Sequence, residues 1–355
     1  MQLRSYIAPS APATRAPCDG TEPSIRVEFG FTPRWYRDHC GIDFSARWHE
    51  DPLYRAETVE TMRRELERRF PDLGFRARFE KRPAGNLDGV HGALAVARLF
   101  GIPAEYYADN WPAAKREFLP EAEIARLEPA DFDNNAFFQG LLSQMKTLED
   151  AFGVAEGYLN WQGVLNNAFR IRGETVLSDM MANPGLARHL FEVIAETMIE
   201  GMRRVYARQR ANGFEVRHAT VSNCVVNMVS PEQYREFLLP QDRRISEAFE
   251  GFGVHNCAWN VDPYIADYAS IGKLGYIDMG LDSDLAQAKR LCPGTRRALM
   301  YKPTDLEGKT LEELRTDLER VARELSPCDI VMADIDSTTP DERVRAFANI
   351  ARELE

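Results

Sequence analysis

From residue 218 onward, short apolar runs alternate with longer stretches whose apolar residues recur at helical spacing. HATVSNC (218–224) is β-branched and turns polar at its end. SPEQYREFLLPQDRRISEAF (230–249) reads as a helix, with Ser230 as its cap, Pro231 in its first turn and Gln233 completing a capping box. GFGVHNC (251–257), GYIDMG (275–280), RRALMYK (296–302) and CDIVMAD (328–334) read as strands. DPYIADYASIG (262–272), DSDLAQAKRLCPG (282–294) and LEELRTDLERVARELS (311–326) read as the helices between them. A last helix is expected to start at TPDE (339–342), with Thr339 and Glu342 as a second capping box. Strands alternating with helices of this size imply parallel βαβ units. So many units in a chain of this length point to a closed (β/α)8 barrel of the TIM type.

The first half is more helical. SIRVEFGF (24–31) is the opening strand, and GYLNW (157–161) is expected as another. An eighth is sought in FRARFE (75–80). Val59, Met62, Leu66 and Phe70 mark the buried face of one helix. A longer one begins at Asn183-Pro184, and Leu186, Leu190, Val193, Met198, Met202 and Val205 trace its apolar face. Further helices near 90–100 and 131–150 make the expected fold a distorted α/β barrel with extra N-terminal helices. One domain is expected over 24–355. The Ala- and Pro-rich stretch 1–23 is read as an arm outside it.

Composition narrows the function. The 355 residues carry a net charge of -11, which argues against a general nucleic-acid binder, because phosphate binding needs a basic face. No run approaches the roughly 18 apolar residues of a membrane span, and the N-terminal stretch lacks the apolar core of a signal peptide. The six cysteines are scattered without a CxxC pair, the usage expected of a reducing cytoplasm. Oligomeric state is not legible.

A barrel places its chemistry at the carboxyl ends of its strands. Those ends offer Glu28, Asn223, Cys224, His255, Cys257, Asp278, Lys302, Asp334 and Asp336. His255-Asn-Cys257 is the sharpest feature. Residues i and i+2 of a strand point to one face, so the imidazole and thiol converge as two metal ligands must. Trp259 and Tyr301 are candidates for lining a pocket for a flat ligand, with packing in the core as the competing reading. Glu28, Asn223, Asp278 and Lys302 are the catalytic candidates.

From about Gly92 onward the chain resembles the uroporphyrinogen decarboxylase superfamily, and within it the cobalamin-dependent methyltransferases that move methyl groups between corrinoid proteins and thiols. The likeness is carried by LFGIPAEYYADNWP (99–112), GVLNNAFRIRGETVLSDMMANPGLARHLFEVI (163–194), MVSPEQYREFLLPQDRRI (228–245), the segment 255–294 and the closing TPDERVRAFANI (339–350). It implies a distorted (β/α)8 barrel and identifies His255 and Cys257 with the methyltransferases' His-x-Cys zinc pair. The decarboxylases proper instead grip propionate groups with an Arg-rich segment of the RQAGRY type, for which WYRDHCG (35–41) is a poor substitute.

The chain departs from the methyltransferase pattern at one place. The third cysteine of that family falls here at Ala333 or Asp334. Asp334 is therefore the expected third metal ligand, with Glu28 next, since zinc accepts carboxylates. The resemblance implies zinc or another divalent metal, a corrinoid as co-substrate brought free or by a partner protein, and a small thiol acceptor. A metal-dependent lyase or decarboxylase acting on a small acid, and a barrel that binds metal or ligand without turnover, are the alternatives the residues leave open.

Overall fold

The computed structural model describes residues 4–6, 20, 23–74 and 85–354. The expected strand at 75–80 lies outside them. The main sheet is wholly parallel: β1 (Arg4–Tyr6), β2 (Ile25–Phe31), β5 (His218–Ser222), β6 (Gly251–His255), β7 (Leu274–Met279), β8 (Arg296–Met300) and β9 (Cys328–Ile335), in the spatial order β1-β2-β9-β8-β7-β6-β5. Two short strands, β3 (Ala104–Glu105) and β4 (Ala113–Ala114), form a separate antiparallel pair. The parallel strands are almost continuously buried, as sheets covered on both faces require.

One face of the sheet is filled in layers. Near the strands' amino ends, Asp329 accepts from Arg26 (2.6 and 2.9 Å) and Arg296 (2.6 Å), and all three residues are buried. Further along, Tyr276, Ala298, Met300, Val331 and Ala333 pack together, with Trp111 and Ala258 against them. The other face meets helices. The longest, Pro184–Ala211, buries Leu186, Leu190, Val193, Met198, Met202 and Val205, the face its periodicity predicts. Among the described residues, no helix is long and apolar enough to cross a membrane.

GYLNW (157–161) forms no strand, which corrects that expectation, and no closed ring of strands is found among the described residues. The segment nevertheless lies beside β5, held by side chains in place of a ladder. The Tyr158 hydroxyl accepts from Thr220 N at 2.8 Å, and Tyr158 N donates to Asp88 Oδ1 at 3.1 Å. Gly163, just beyond, approaches so closely that a Cβ there would stand 2.5 Å from Ser222 O. The last helix, Asp341–Glu353, has no side-chain cap, because the Thr339 hydroxyl donates to Glu307 instead. The Ser230–Gln233 capping box does form.

Candidate metal centre

The pairing of β5 with β6 sets Ser222 opposite His255, and Asn223 N donates to His255 O at 2.6 Å, extending the ladder past Ser222. Cys224 and Cys257 each lie two residues beyond that pair, so both emerge at the same level of the sheet's carboxyl edge. Cys257 Sγ stands 3.0 Å from Cys224 Sγ and 3.2 Å from His255 Nε2. The three donor atoms all fall within 4.8 Å of one another.

His255 and Cys257 do converge, though not by strand alternation. β6 stops at His255, and Cys257 has a φ of 59°, the left-handed region that a residue with a Cβ enters at a cost of about 1 kcal/mol. This turn folds the thiol back toward the imidazole. Cys224 comes from the neighbouring strand and supplies the third donor of the group, the place expected for Asp334. Its signal was the register of two parallel strands, a long-range property that local motifs do not display.

Behind His255 sits Asp278, fully buried on β7. Its Oδ2 lies 2.5 Å from His255 Nδ1 and accepts from the Tyr276 hydroxyl at 2.9 Å. Its Oδ1 accepts from Asn256 N at 2.6 Å, and its main-chain carbonyl accepts from Asn256 Nδ2 at 2.9 Å. A carboxylate can only accept, so the Nδ1 proton is held on the Asp278 side. The Nε2 lone pair is thereby turned toward the thiols. Asp278, a catalytic candidate by sequence, thus occupies the position of an outer carboxylate that orients a ligand imidazole.

Asn223, another catalytic candidate, also faces away from the donors. Its amide donates to Asp242 Oδ2 at 3.0 Å, which accepts from the Tyr234 hydroxyl at 2.7 Å as well. Burial pushes the Asp242 carboxyl up to about 6, against the opposing pull of those two donors. Tyr234 begins a five-residue π-helical turn, Tyr234–Leu238, just before Pro240. Proline has no N–H to continue the usual ladder, which accounts for the wider turn there.

The remaining candidates occupy varied places. β2 and β9 slip by one residue between Phe29 and Phe31, and Asp334 is in the bulge with a φ of 65°. Its side chain is exposed at the carboxyl edge. The surrounding protein pushes its carboxyl up to about 6 by limiting hydration. Glu28 is fully buried within β2. Lys302 is half-exposed, 3.5 Å from Asp282. Tyr301 is core: its hydroxyl donates to Asp317 at 2.5 Å and its ring packs on Phe347 at 5.0 Å. Trp259 sets its ring edge-on to Tyr264 at 5.5 Å.

Two sulfurs and one imidazole nitrogen grouped within 4.8 Å suit zinc, which takes these donors in tetrahedral sites. Three protein ligands with a fourth position free for substrate is the catalytic form of such a site. At Cys40 and Cys292 burial pushes the thiol up to about 11, and at Cys328 up to about 12. A raised pKa leaves a thiol protonated and a poor ligand.

No protein-family model matches this chain, and no curated protein matches its sequence. Among solved structures, a proposed vitamin-B12-independent methionine synthase from Listeria monocytogenes aligns at 13% identity over 61% of this chain and 69% of its own, with a TM-score of 0.37, too loose a superposition to argue from. A methyltransferase from Methanosarcina mazei aligns over 96% of both chains at 15% identity, with a TM-score of 0.67. Over nearly its whole length, the chain shares the fold of that methyltransferase.

Proposed function

We propose that this protein is an enzyme that transfers a methyl group from a corrinoid, free or carried by a partner protein, to a small thiol. On this reading the parallel sheet belongs to a distorted (β/α)8 barrel of the uroporphyrinogen decarboxylase-like type. The observation that carries the reading is the convergence of Cys224, His255 and Cys257 at the sheet's carboxyl edge, with Asp278 fixing the imidazole. Carboxyl ends of parallel strands are where such folds place their chemistry.

Cys224 Sγ, His255 Nε2 and Cys257 Sγ would hold a divalent metal, zinc by the donor set. When bound there, it lowers the pKa of an incoming thiol so that the thiolate is present at neutral pH. The chain's own residues do the rest. Asp278, with Tyr276 and Asn256, keeps one imidazole tautomer and one ring orientation. Asn223, tied to Asp242 and to His255 O, positions the turn that presents Cys224. Trp111, packed on Tyr276, Met300 and their neighbours, helps keep water from the sheet's inner face. In the reaction a sulfur–carbon bond forms as the cobalt–carbon bond breaks. The electron pair stays with cobalt, and the thiol proton is released.

Two measurements test this. The untagged protein, purified with zinc supplied, is expected to hold one equivalent by elemental analysis. With methylcobalamin and a thiol, it is expected to demethylate the corrinoid faster than the uncatalysed mixture and to yield the methyl thioether. Metal binding without demethylation of free or protein-bound methylcorrinoid would refute the transfer reaction.

A further inference from the structure

Two of the three grouped donors are thiols whose sulfurs already touch. Cys224 Sγ and Cys257 Sγ stand 3.0 Å apart. Both residues are present as thiols and both are half-buried, within reach of a small reagent, whereas Cys292 and Cys328 are buried. A disulfide bond is about 2.05 Å long, so the two sulfurs need approach by only about 1 Å to bond. The backbone permits this. Each cysteine lies two residues beyond the aligned pair Ser222 and His255 on adjoining parallel strands. Such strands run about 4.8 Å apart, within the roughly 4.4–6.8 Å between Cα atoms that a disulfide spans.

The two thiols are not equivalent. Cys257 Sγ lies 3.2 Å from His255 Nε2, and Asp278, 2.5 Å from Nδ1, turns the Nε2 lone pair toward it. The Cys257 proton therefore has an acceptor at hand, which makes Cys257 the attacking sulfur. Cys224, in contact with it, is placed to attack Cys257 in turn.

We propose that, when no metal is bound, Cys224 and Cys257 act as a reversible redox pair, oxidised to an intramolecular disulfide by a low-molecular-weight disulfide. Cys257 gives up its proton and attacks one sulfur of the small disulfide. A sulfur–sulfur bond forms to Cys257, the original one breaks, and the first small thiol leaves with the electron pair and a proton. Cys224 Sγ then attacks Cys257 Sγ, and the second small thiol leaves with the Cys224 proton. Two protein thiols are oxidised, and one small disulfide is reduced to two thiols. Zinc is held by thiolates, so the disulfide takes away two of the three grouped donors, and oxidation and metal binding exclude each other. The proposal goes beyond methyl transfer and stands on the cysteine pair itself.

Mass spectrometry of the full chain, stripped of metal with a chelator and exposed to glutathione disulfide, tests it. The intact mass is expected to fall by two hydrogens, a peptide map to join Cys224 to Cys257, and dithiothreitol to reverse both. The oxidised chain is expected to lose zinc binding and to regain it on reduction. Protein loaded with zinc beforehand is expected to stay reduced over the same interval. Cys224→Ser is expected to stop one step earlier, with one glutathione held on Cys257. A metal-free wild type that keeps both thiols, or that holds glutathione on Cys257 with Cys224 still reduced, overturns the proposal, whether or not the variant folds. So does a cross-link that leaves zinc binding intact or that bound zinc does not slow. The methylcobalamin assay is read separately. A chain that cross-links but demethylates nothing keeps the pair and loses methyl transfer. One that demethylates but does not cross-link keeps methyl transfer and loses the pair.

Discussion

Asp278 Oδ2 lies 2.5 Å from His255 Nδ1, and Asp278 is wholly buried, so the imidazole has one tautomer and one orientation available to it. Substituting Asp278→Asn replaces an acceptor by a group that can also donate, and frees the ring to turn or to move its proton to Nε2. Outer partners of this kind are worth roughly 10- to 100-fold in metal affinity. Competition with a chromophoric chelator is expected to show a loss of that size. An unchanged zinc affinity would mean that His255 is oriented by packing alone.

Cys224 and Asp334 separate the two ligand sets. Cys224→Ala is expected to leave the purified protein nearly free of zinc, because it removes one of the three grouped donors. Asp334→Ala is expected to retain close to the wild-type zinc content. The reverse pattern in elemental analysis would restore the carboxylate as ligand and leave Cys224 as packing.

Gly163→Ala probes the wall behind Cys224. The added Cβ would meet the main-chain Ser222 O at 2.5 Å, which cannot swing aside, and the side-chain Asn223 Oδ1 at 2.6 Å. Overpacking of this kind costs about 1–3 kcal/mol, or several degrees of melting temperature. Because the displaced residues directly precede Cys224, zinc affinity is expected to fall together with stability. A variant with wild-type melting and wild-type zinc binding would show that the contact relaxes freely.

His218 gives a pH dependence with a definite sign. Its ring stacks on Tyr158 at 5.6 Å with planes 4° apart, and burial lowers its pKa to about 4. The unfolded chain takes up this proton near pH 6.5, before the folded chain does, so stability falls as pH drops from about 6.5 to about 4 and then levels off for this group. Asp242, with its carboxyl raised to about 6, works in the opposite direction over much of that window. Melting curves of wild type and His218→Gln between pH 7 and 4 are expected to show a shallower acid loss in the variant. Parallel curves would mean that His218 is not held neutral by the fold.

Much of this arrangement was legible in the sequence where the signal was local. Strands β5 to β9 are short apolar runs between helices of clear periodicity, and their polar ends marked His255 and Cys257 in advance. The segment 157–161 read as a strand because it has the composition of one. Its backbone is instead engaged by Asp88, and the Tyr158 hydroxyl reaches across to β5, contacts that depend on residues far away in the chain. Cys224 was visible as a strand end, but its place beside Cys257 depends on how two strands align. Thr339 had the sequence of a cap, but Glu307 offered its hydroxyl a partner from another helix.

The opposition of Ser222 and His255 carries a consequence for how the protein matures. Two of the sulfur and nitrogen donors arrive on one strand and the third on its neighbour, so the full set exists only when those strands are aligned without a slip. A shift of one residue would turn His255 to the other face and part the cysteines. On the proposed metal-binding reading, retention of an ion would report the assembled sheet: only a chain with these two strands correctly matched presents all three donors together.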